Sequence, residues 1–115
     1  SMWTLVCYST ESKRELPGFP RLLLEMQGAV SEEIAKGLAE GIRERAKTTI
    51  GVGVTGIAGP TGATPDKPVG TVHIAVAAPT ETVHRRFLFP GDRNRVRWQA
   101  SQASLDMIRR VLMRM

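Results

Sequence analysis

The sequence predicts an α/β domain in which a mixed, mostly parallel sheet contains one antiparallel hairpin and has helices on both sides. Short runs of β-branched residues alternate with two long stretches whose apolar residues recur at helical spacing. Two predicted strands, at 70–78 and 82–89, are separated by only three residues, and so short a connection joins antiparallel neighbours. Glycine and proline clusters lie between the periodic stretches, where they mark turns.

Length and composition indicate one soluble globular domain, which we place at residues 3–115. Of the 115 residues, 42% are hydrophobic and 23% charged, and no apolar run reaches the roughly 20 residues of a membrane span. The single cysteine, Cys7, forms no internal disulfide framework, and the N-terminus lacks the pattern of a secretory signal, so we expect a cytoplasmic protein. Ser1 and Met2 resemble a remnant of an expression vector.

The N-terminal part of the chain is predicted to form one strand and three helical pieces. Residues 3–8 are rich in β-formers and predict a strand, and a short helix is expected at 11–14. The leucine-rich segment 20–28 is interpreted as a second short helical piece. Ser31, followed by two glutamates, is a strong N-cap for a longer helix that runs to about Lys47.

The helix after Ser31 has apolar residues at four-residue spacing, which predicts that one of its faces covers the sheet. This face consists of Ile34, Leu38, Ile42 and Ala46, with Ala35 and Ala39 beside them. Gly37 and Gly41 are also four residues apart. Because a glycine inside a helix costs about 1 kcal/mol relative to alanine, we expect both to be retained for close approach to the sheet.

The C-terminal part is predicted to form three strands and a long helix. A buried strand at 51–55 leads into a loop at 56–68, which three prolines make stiff. The hairpin strands follow this loop. Asp92 caps the last helix, which extends to about Arg110 or beyond. Its apolar stripe consists of Val96, Ala100, Ala103, Met107 and Val111.

The net charge of +5 comes mostly from arginine. Five arginines lie close together in the sequence: Arg85, Arg86, Arg93, Arg95 and Arg97. Such a cluster is typical of an anion-binding or nucleic-acid-binding surface, and also of a solvated face that serves solubility alone. Few aromatic residues are interleaved with the arginines, which disfavours single-stranded nucleic acid as a partner. Arg93 adjoins the start of the last helix, where a phosphate or carboxylate would be stabilised; pairing with acidic neighbours is the alternative.

Several patterns resemble those of known binding or catalytic sites, but the residues around them argue against such sites. The glycine spacing at 51–56 (GVGVTG) matches the dinucleotide-binding fingerprint, but these glycines lie within a strand, prolines follow, and the expected acidic position is apolar. His73 and His84 lack the spacing and nearby carboxylates of a ligand set, so neither a metal nor a cofactor is predicted. Cys7 could pair with a histidine as a nucleophile, although a small buried apolar role is the ordinary alternative.

Two polar residues lie where chemistry is expected. Lys13 follows the first strand closely and is near Tyr8 and Ser9, so a lowered pKa would let it act as a general base for a hydroxyl nucleophile. A surface lysine on a short helix is the alternative. Thr55 ends a strand beside Gly56, where α/β proteins bind ligands, and its hydroxyl either holds a substrate or caps the turn.

Several motifs together resemble the CinA C-terminal domain family, the nicotinamide-nucleotide amidases. The sequence VTGIAGP at 54–60, followed by KPVGTV at 67–72, is similar to the central signature of the family. The sequences YSTESK at 8–13, GAVSEE at 28–33 and GDR at 91–93 follow the family's order and spacing. The resemblance covers nearly the entire chain.

The resemblance implies a three-layer α/β/α domain that converts nicotinamide mononucleotide into nicotinate mononucleotide and ammonia. The implied mechanism uses a serine and a lysine without metal or cofactor, and Lys13 matches the lysine base. The implied substrate-binding residues are Tyr8, Ser9, Thr55, Gly56 and Gly59, with Arg93 as a candidate for the phosphate. The expected partners are a small nucleotide substrate and a second copy of the chain, not a nucleic acid or a membrane.

The chain departs from the family pattern in its N-terminal part. Family members usually begin with a strand and a helix bearing ESCTGG and have a serine-bearing segment before the YS strand, and neither has a counterpart in these residues. We therefore expect an incomplete domain, whose parent protein has an upstream part, or a degenerate member that has lost catalysis. Sheet edge or apolar surface exposed in this way predicts self-association. The alternative function is a non-enzymatic module that binds a nucleotide, another anion or nucleic acid through its arginines.

Overall fold

The computed structural model describes residues 2–9, 21–26, 30–59 and 63–115, and within them the chain forms one sheet and two helices. The strands are β1 (Met2–Ser9), β2 (Arg21–Met26), β3 (Ile50–Ile57), β4 (Thr71–Ala77) and β5 (Thr82–Leu88). The helices are α1 (Glu32–Ala46) and α2 (Arg93–Met113). The strand order is β2-β1-β3-β4-β5, and every neighbouring pair is antiparallel. The predictions of an α/β fold and of a β4–β5 hairpin are confirmed.

The prediction of a mostly parallel sheet is wrong. β2 and β3 run in the same direction and are connected through α1, as expected of a helical crossover. β1 lies between them, however, and pairs antiparallel with both. The crossover therefore connects two strands that run in the same direction but are not hydrogen-bonded to each other. Hydrophobic periodicity does not reveal which strand lies between them.

The prediction of a helical piece at 20–28 is also wrong, because Arg21–Met26 forms strand β2. This strand pairs antiparallel with β1. Leucine favours a helix in isolation, but the preference over other ordinary residues is under about 1 kcal/mol, and pairing along an available strand outweighs it. The short helix predicted at 11–14 lies outside the described residues.

Helix α1 approaches the sheet most closely at two glycines of β3. A Cβ atom added at Gly53 would overlap the carbonyl oxygen of Ala35, and one added at Gly51 would overlap that of Ala39. Both alanines are completely buried. The helix thus lies directly on the backbone of β3, because neither surface has a large side chain at the contact.

The prediction that the glycines of α1 permit this approach is wrong. At Gly37 and Gly41 nothing lies within 4 Å of an added Cβ atom. Ile34 is 38% exposed, whereas Ala35 and Ala39 are completely buried. The face of α1 that packs on the sheet is therefore centred on these two alanines and not on the predicted row that begins at Ile34. The glycines that matter for packing are in the strand and not in the helix.

Helix α2 packs against the opposite face of the sheet. Val52 and Val54 alternate with the glycines of β3 and belong to a core cluster with α2. The predicted stripe of α2 is buried at Val96, Ala100, Met107 and Val111, and Ala103 is partly buried. Trp98 is 64% exposed, so it belongs to the outer surface of the helix.

Both helices begin at the predicted caps. Ser31 Oγ accepts a hydrogen bond from the backbone N–H of Ile34 at 3.1 Å. Asp92 Oδ1 accepts one from the backbone N–H of Arg95 at 2.8 Å. Each satisfies a donor that the first helical turn leaves open. Within the described part of the chain, neither helix is long and apolar enough to cross a membrane.

Candidate functional site

A row of polar side chains crosses four strands on the face of the sheet against which α1 packs. Thr4 of β1 lies opposite Thr55 of β3. Thr55 in turn lies opposite His73 of β4, and His73 lies opposite Arg86 of β5. Directly opposite residues of antiparallel strands share a face, with Cβ atoms about 5 Å apart. These four residues are named the polar row below.

The polar row lies level with the beginning of α1. From Gly51 to Gly53 the contact on the helix moves from Ala39 to Ala35, that is, towards its N-terminus. Thr55 is two residues further along β3 and points to the same face. The open backbone N–H groups of the first helical turn, which carry a partial positive charge, are therefore at this end of the sheet.

Two hydroxyl groups of the polar row are buried without a partner. Thr4 is 2% exposed and Thr55 is completely buried. Neither Oγ1 atom has a hydrogen-bond partner in the structure as described. Leaving a buried hydroxyl unsatisfied costs about 1–3 kcal/mol, so two such groups on opposite residues need an explanation. A bound polar group that supplies the partners is one, and it makes the row a candidate ligand site.

His73 is hydrogen-bonded to a second imidazole. Its Nδ1 lies 2.9 Å from Nε2 of His84; the ring centroids are 5.1 Å apart and the ring planes differ by 19°, so the rings meet edge to edge. The other nitrogen of His84, Nδ1, lies 3.5 Å from Oε1 of Glu32, the first residue of α1. The three side chains thus connect the start of α1 to the polar row.

Burial lowers the pKa of both histidines below the usual value of 6.5. For His73, the positive charges of His84, Arg86 and Lys67 lower the pKa further, and Glu32 opposes them. For His84, burial outweighs the attraction of the same carboxylate. At pH 7 both rings are therefore neutral, and each has one N–H donor and one acceptor nitrogen.

We expect the free energy of unfolding to decrease as the pH falls below about 6.5, because the unfolded chain then binds protons that the folded imidazoles resist. The stability that the two neutral histidines contribute is fully present above pH 6.5. It is lost as the pH falls from 6.5 to below their lowered pKa values in the folded chain. Urea denaturation at about pH 7.5, 6.5 and 5.5 measures it. A double variant, His73→Gln with His84→Gln, should flatten the curve; an equally steep curve in that variant would contradict the assignment.

The residues predicted for the site do not all lie together. Thr55 is in the polar row. Tyr8 and Ser9 pair with Gly51 and Ile50 at the beginning of β3. Four residues of strand, or about 13 Å, separate this end from Thr55. A single ligand that contacts both groups would have to lie along the strand.

Two other predicted residues lie on the α2 side of the sheet. At Gly56 an added Cβ atom would meet the indole ring of Trp3 at 2.6 Å, so this glycine provides space for the ring. Arg93 is the exposed first residue of α2. Gly59 is half-buried in the loop after β3. Lys13 lies outside the described residues, so its role as a base stays a prediction.

The α2 side has a cavity of about 410 Å³ between β1 and α2. Its lining is mostly apolar and includes Trp3, Leu5 and Cys7. Burial raises the pKa of Cys7 to about 11, so the thiol is neutral at pH 7. The histidines are on the other face of the sheet, so they form no nucleophile pair with this cysteine.

Sequence analysis did not identify Thr4 or the connection from Glu32 through His84 to His73 as part of a site. One signal was present: His73 is a polar residue at an alternate position of a strand that is otherwise small and apolar. The strand register was also needed, because only the register brings Thr4, Thr55 and His73 into one row.

Comparison with known proteins supports the family suggested by the motifs. A model of the CinA C-terminal domain matches residues 2–112. The chain is 56% identical over 110 residues to a CinA-like protein of Koribacter versatilis (strain Ellin345). The aligned segment covers 94% of this chain and 26% of that protein. It therefore spans about a quarter of the length of this relative.

Solved structures give the same result. The chain is similar to competence damage-inducible protein A from Klebsiella pneumoniae subsp. pneumoniae MGH 78578, with a TM-score of 0.68 and 32% identity, over 73% of this chain and 52% of that one. It is also similar to a competence/damage inducible protein from Agrobacterium tumefaciens, with a TM-score of 0.66 and 36% identity, over 70% of this chain and 50% of the other.

Proposed function

The chain belongs to the CinA C-terminal domain family, and on that premise we propose that its polar row binds nicotinamide mononucleotide for hydrolysis of the carboxamide. The products are nicotinate mononucleotide and ammonia. One observation carries the proposal: Thr55, within the stretch that resembles the family signature, has a buried hydroxyl without a partner. A hydroxyl in this position can donate to or accept from the polar substituents of a nucleotide.

The proposed chemistry is a serine–lysine amide hydrolysis. In this scheme Lys13 removes the proton from a serine hydroxyl of the upstream segment that the family resemblance implies, and the serine oxygen attacks the carboxamide carbon. The C–N bond then breaks, ammonia leaves with the proton, and water releases the nicotinate product. In this scheme backbone N–H groups around Gly56 and Gly59 stabilise the oxyanion or hold the phosphate, for which Arg93 is a further candidate.

The three-layer α/β/α arrangement is part of the same proposal. The packing of α1 on Gly51 and Gly53 and of α2 on Val52 and Val54 supports it, because alternate residues of a strand face opposite sides. We also propose that the chain self-associates, and the exposure of Trp98 is consistent with such a surface.

The proposal is tested by incubating the purified chain with nicotinamide mononucleotide. Calorimetry measures binding, and chromatography and an ammonia assay measure the products. We expect saturable binding that changes little with salt, and we expect release of ammonia and nicotinate mononucleotide in equal amounts only where the family's serine-bearing segment is joined to the chain. Binding without products even with that segment would favour a member that has lost catalysis. Absence of binding would contradict the proposal.

A non-enzymatic anion-binding module that uses the five clustered arginines is the second candidate, because three of them, Arg93, Arg95 and Arg97, lie in the first turns of α2, whose first turn has no acidic residue. The arginines do not form one face, however. Arg85 and Arg86 are neighbours in β5 and point to opposite sides of the sheet. Arg97 lies over the ring of Trp3, 5.9 Å from its centroid. A steep loss of binding with rising salt, as counterion release predicts, would favour this candidate.

A further inference from the structure

The three side chains that lead from α1 to the polar row determine where the protons of the two imidazoles lie. Glu32 is a carboxylate and has no proton to donate at neutral pH. Its Oε1 is 3.5 Å from Nδ1 of His84, and its negative charge stabilises an N–H at this nearer nitrogen. This contact favours the tautomer of neutral His84 that has its proton on Nδ1 and a lone pair on Nε2.

The same reasoning extends to His73. Nε2 of His84 lies 2.9 Å from Nδ1 of His73, so one of these two nitrogens must donate. Since Nε2 of His84 has the lone pair, Nδ1 of His73 carries the proton. The remaining nitrogen of His73, Nε2, is then an unprotonated acceptor. The carboxylate at the start of α1, whose other oxygen lies 2.8 Å from Nζ of Lys36, thus favours one tautomer of a residue in the polar row, two side chains away.

We propose that Nε2 of His73 is the hydrogen-bond acceptor that the polar row offers to the ligand, and that His84 and Glu32 are positioning residues that favour this tautomer. The inference rests on the proposed function for the identity of the ligand. The ligand group at His73 is a donor, either the carboxamide N–H or a hydroxyl. The donor gives a hydrogen bond to Nε2 and keeps its proton, because Lys13 is the proposed base, and Nδ1–H of His73 keeps its hydrogen bond to His84.

The charges around the pair agree with an acceptor that is neutral before the ligand arrives. Glu32 and Lys36 act on it from α1, Arg86 from β5, and Lys67 from the loop before β4. Three of these charges are positive and one is negative, and the positive ones oppose a permanent imidazolium. If the two histidines served only to connect β4 and β5, adding the ligand would leave Nε2 of His73 unaffected. A change at this nitrogen on ligand binding therefore distinguishes a ligand-binding role from a structural one.

Long-range ¹H–¹⁵N NMR spectra of the purified chain at pH 7 test the assignment. We expect both His73 and His84 to carry the proton on Nδ1, with an unprotonated Nε2 in each ring. On addition of nicotinamide mononucleotide, the ¹⁵N resonance of His73 Nε2 should shift while its Nδ1 resonance stays nearly unchanged. An N–H at Nε2 of His73, or bound nucleotide without a shift at that nitrogen, would overturn the proposal.

Glu32→Gln and Glu33→Gln form a matched pair, because both remove one carboxylate from the first turn of α1 and only Glu32 contacts His84. We expect mixed tautomers in Glu32→Gln and unchanged tautomers in Glu33→Gln; equal spectra for the two variants would overturn the role of Glu32. His73→Phe removes the acceptor and should weaken nucleotide binding about tenfold. If calorimetry detects no nucleotide binding to the unmodified chain, the proposed function fails, while the tautomers of the free chain still decide the assignment of the protons.

Discussion

Replacement of Gly53 with alanine is expected to destabilise the fold by about 3 kcal/mol, the upper part of the range for overpacked cores. The added Cβ atom would overlap the carbonyl oxygen of Ala35 and lie 2.8 Å from Cβ of Leu38 and 2.9 Å from the backbone nitrogen of Ala39. None of these atoms is the end of a flexible side chain, so α1 must move away from β3. Urea denaturation at neutral pH measures the change.

The matched control is Gly37→Ala in α1, where nothing lies within 4 Å of the added atom. We expect this substitution to stabilise the chain by about 0.5–1 kcal/mol, because alanine loses less backbone entropy than glycine in a helix. The two glycine-to-alanine changes should therefore have opposite signs. Destabilisation by Gly37→Ala together with no effect of Gly53→Ala would contradict the packing of α1 on β3.

The sequence predicts the elements better than it predicts how they are arranged. Caps and apolar periodicity identified both long helices, because Ser31 and Asp92 make local hydrogen bonds that depend little on the rest of the fold. The pairing of β1 with both β2 and β3 depends on residues far apart in the sequence, and no local pattern specifies it. The strand at Arg21–Met26 was missed for the same reason. Its leucines favour a helix locally, and only the pairing with β1, which is distant in the sequence, makes the segment a strand.

The candidate site could be predicted only in part. Thr55 was identified because it ends a buried strand within a specialised stretch. His73 and His84 were considered only as metal ligands, and their hydrogen bond was not expected, since it requires two adjacent strands with both rings on one face. Glu32 was interpreted as a helix-capping charge, a role that does not exclude its contact with His84.

Thr55→Val is expected to stabilise the free chain by about 1 kcal/mol, because it removes a buried hydroxyl that has no partner and keeps nearly the same volume. Thr71→Val is the matched control. Thr71 is also completely buried, but its hydroxyl donates a hydrogen bond to the carbonyl oxygen of Pro68 at 2.6 Å. Its replacement should destabilise the chain by about 1 kcal/mol. Opposite changes in the free energy of unfolding would show that the hydroxyl of Thr71 stabilises the fold and that the hydroxyl of Thr55 does not, as expected if the latter binds a ligand.

The most direct test of the polar row is the effect of nicotinamide mononucleotide on the thermal unfolding of the chain and of Thr55→Val. A ligand that binds only the folded chain raises the unfolding temperature, by an amount that increases with the logarithm of the ratio of ligand concentration to Kd. We predict that the variant without ligand unfolds at a higher temperature than the unmodified chain, and that its affinity for the nucleotide is about tenfold lower. Equal stabilisation of both proteins by the nucleotide would contradict a role of Thr55 in binding.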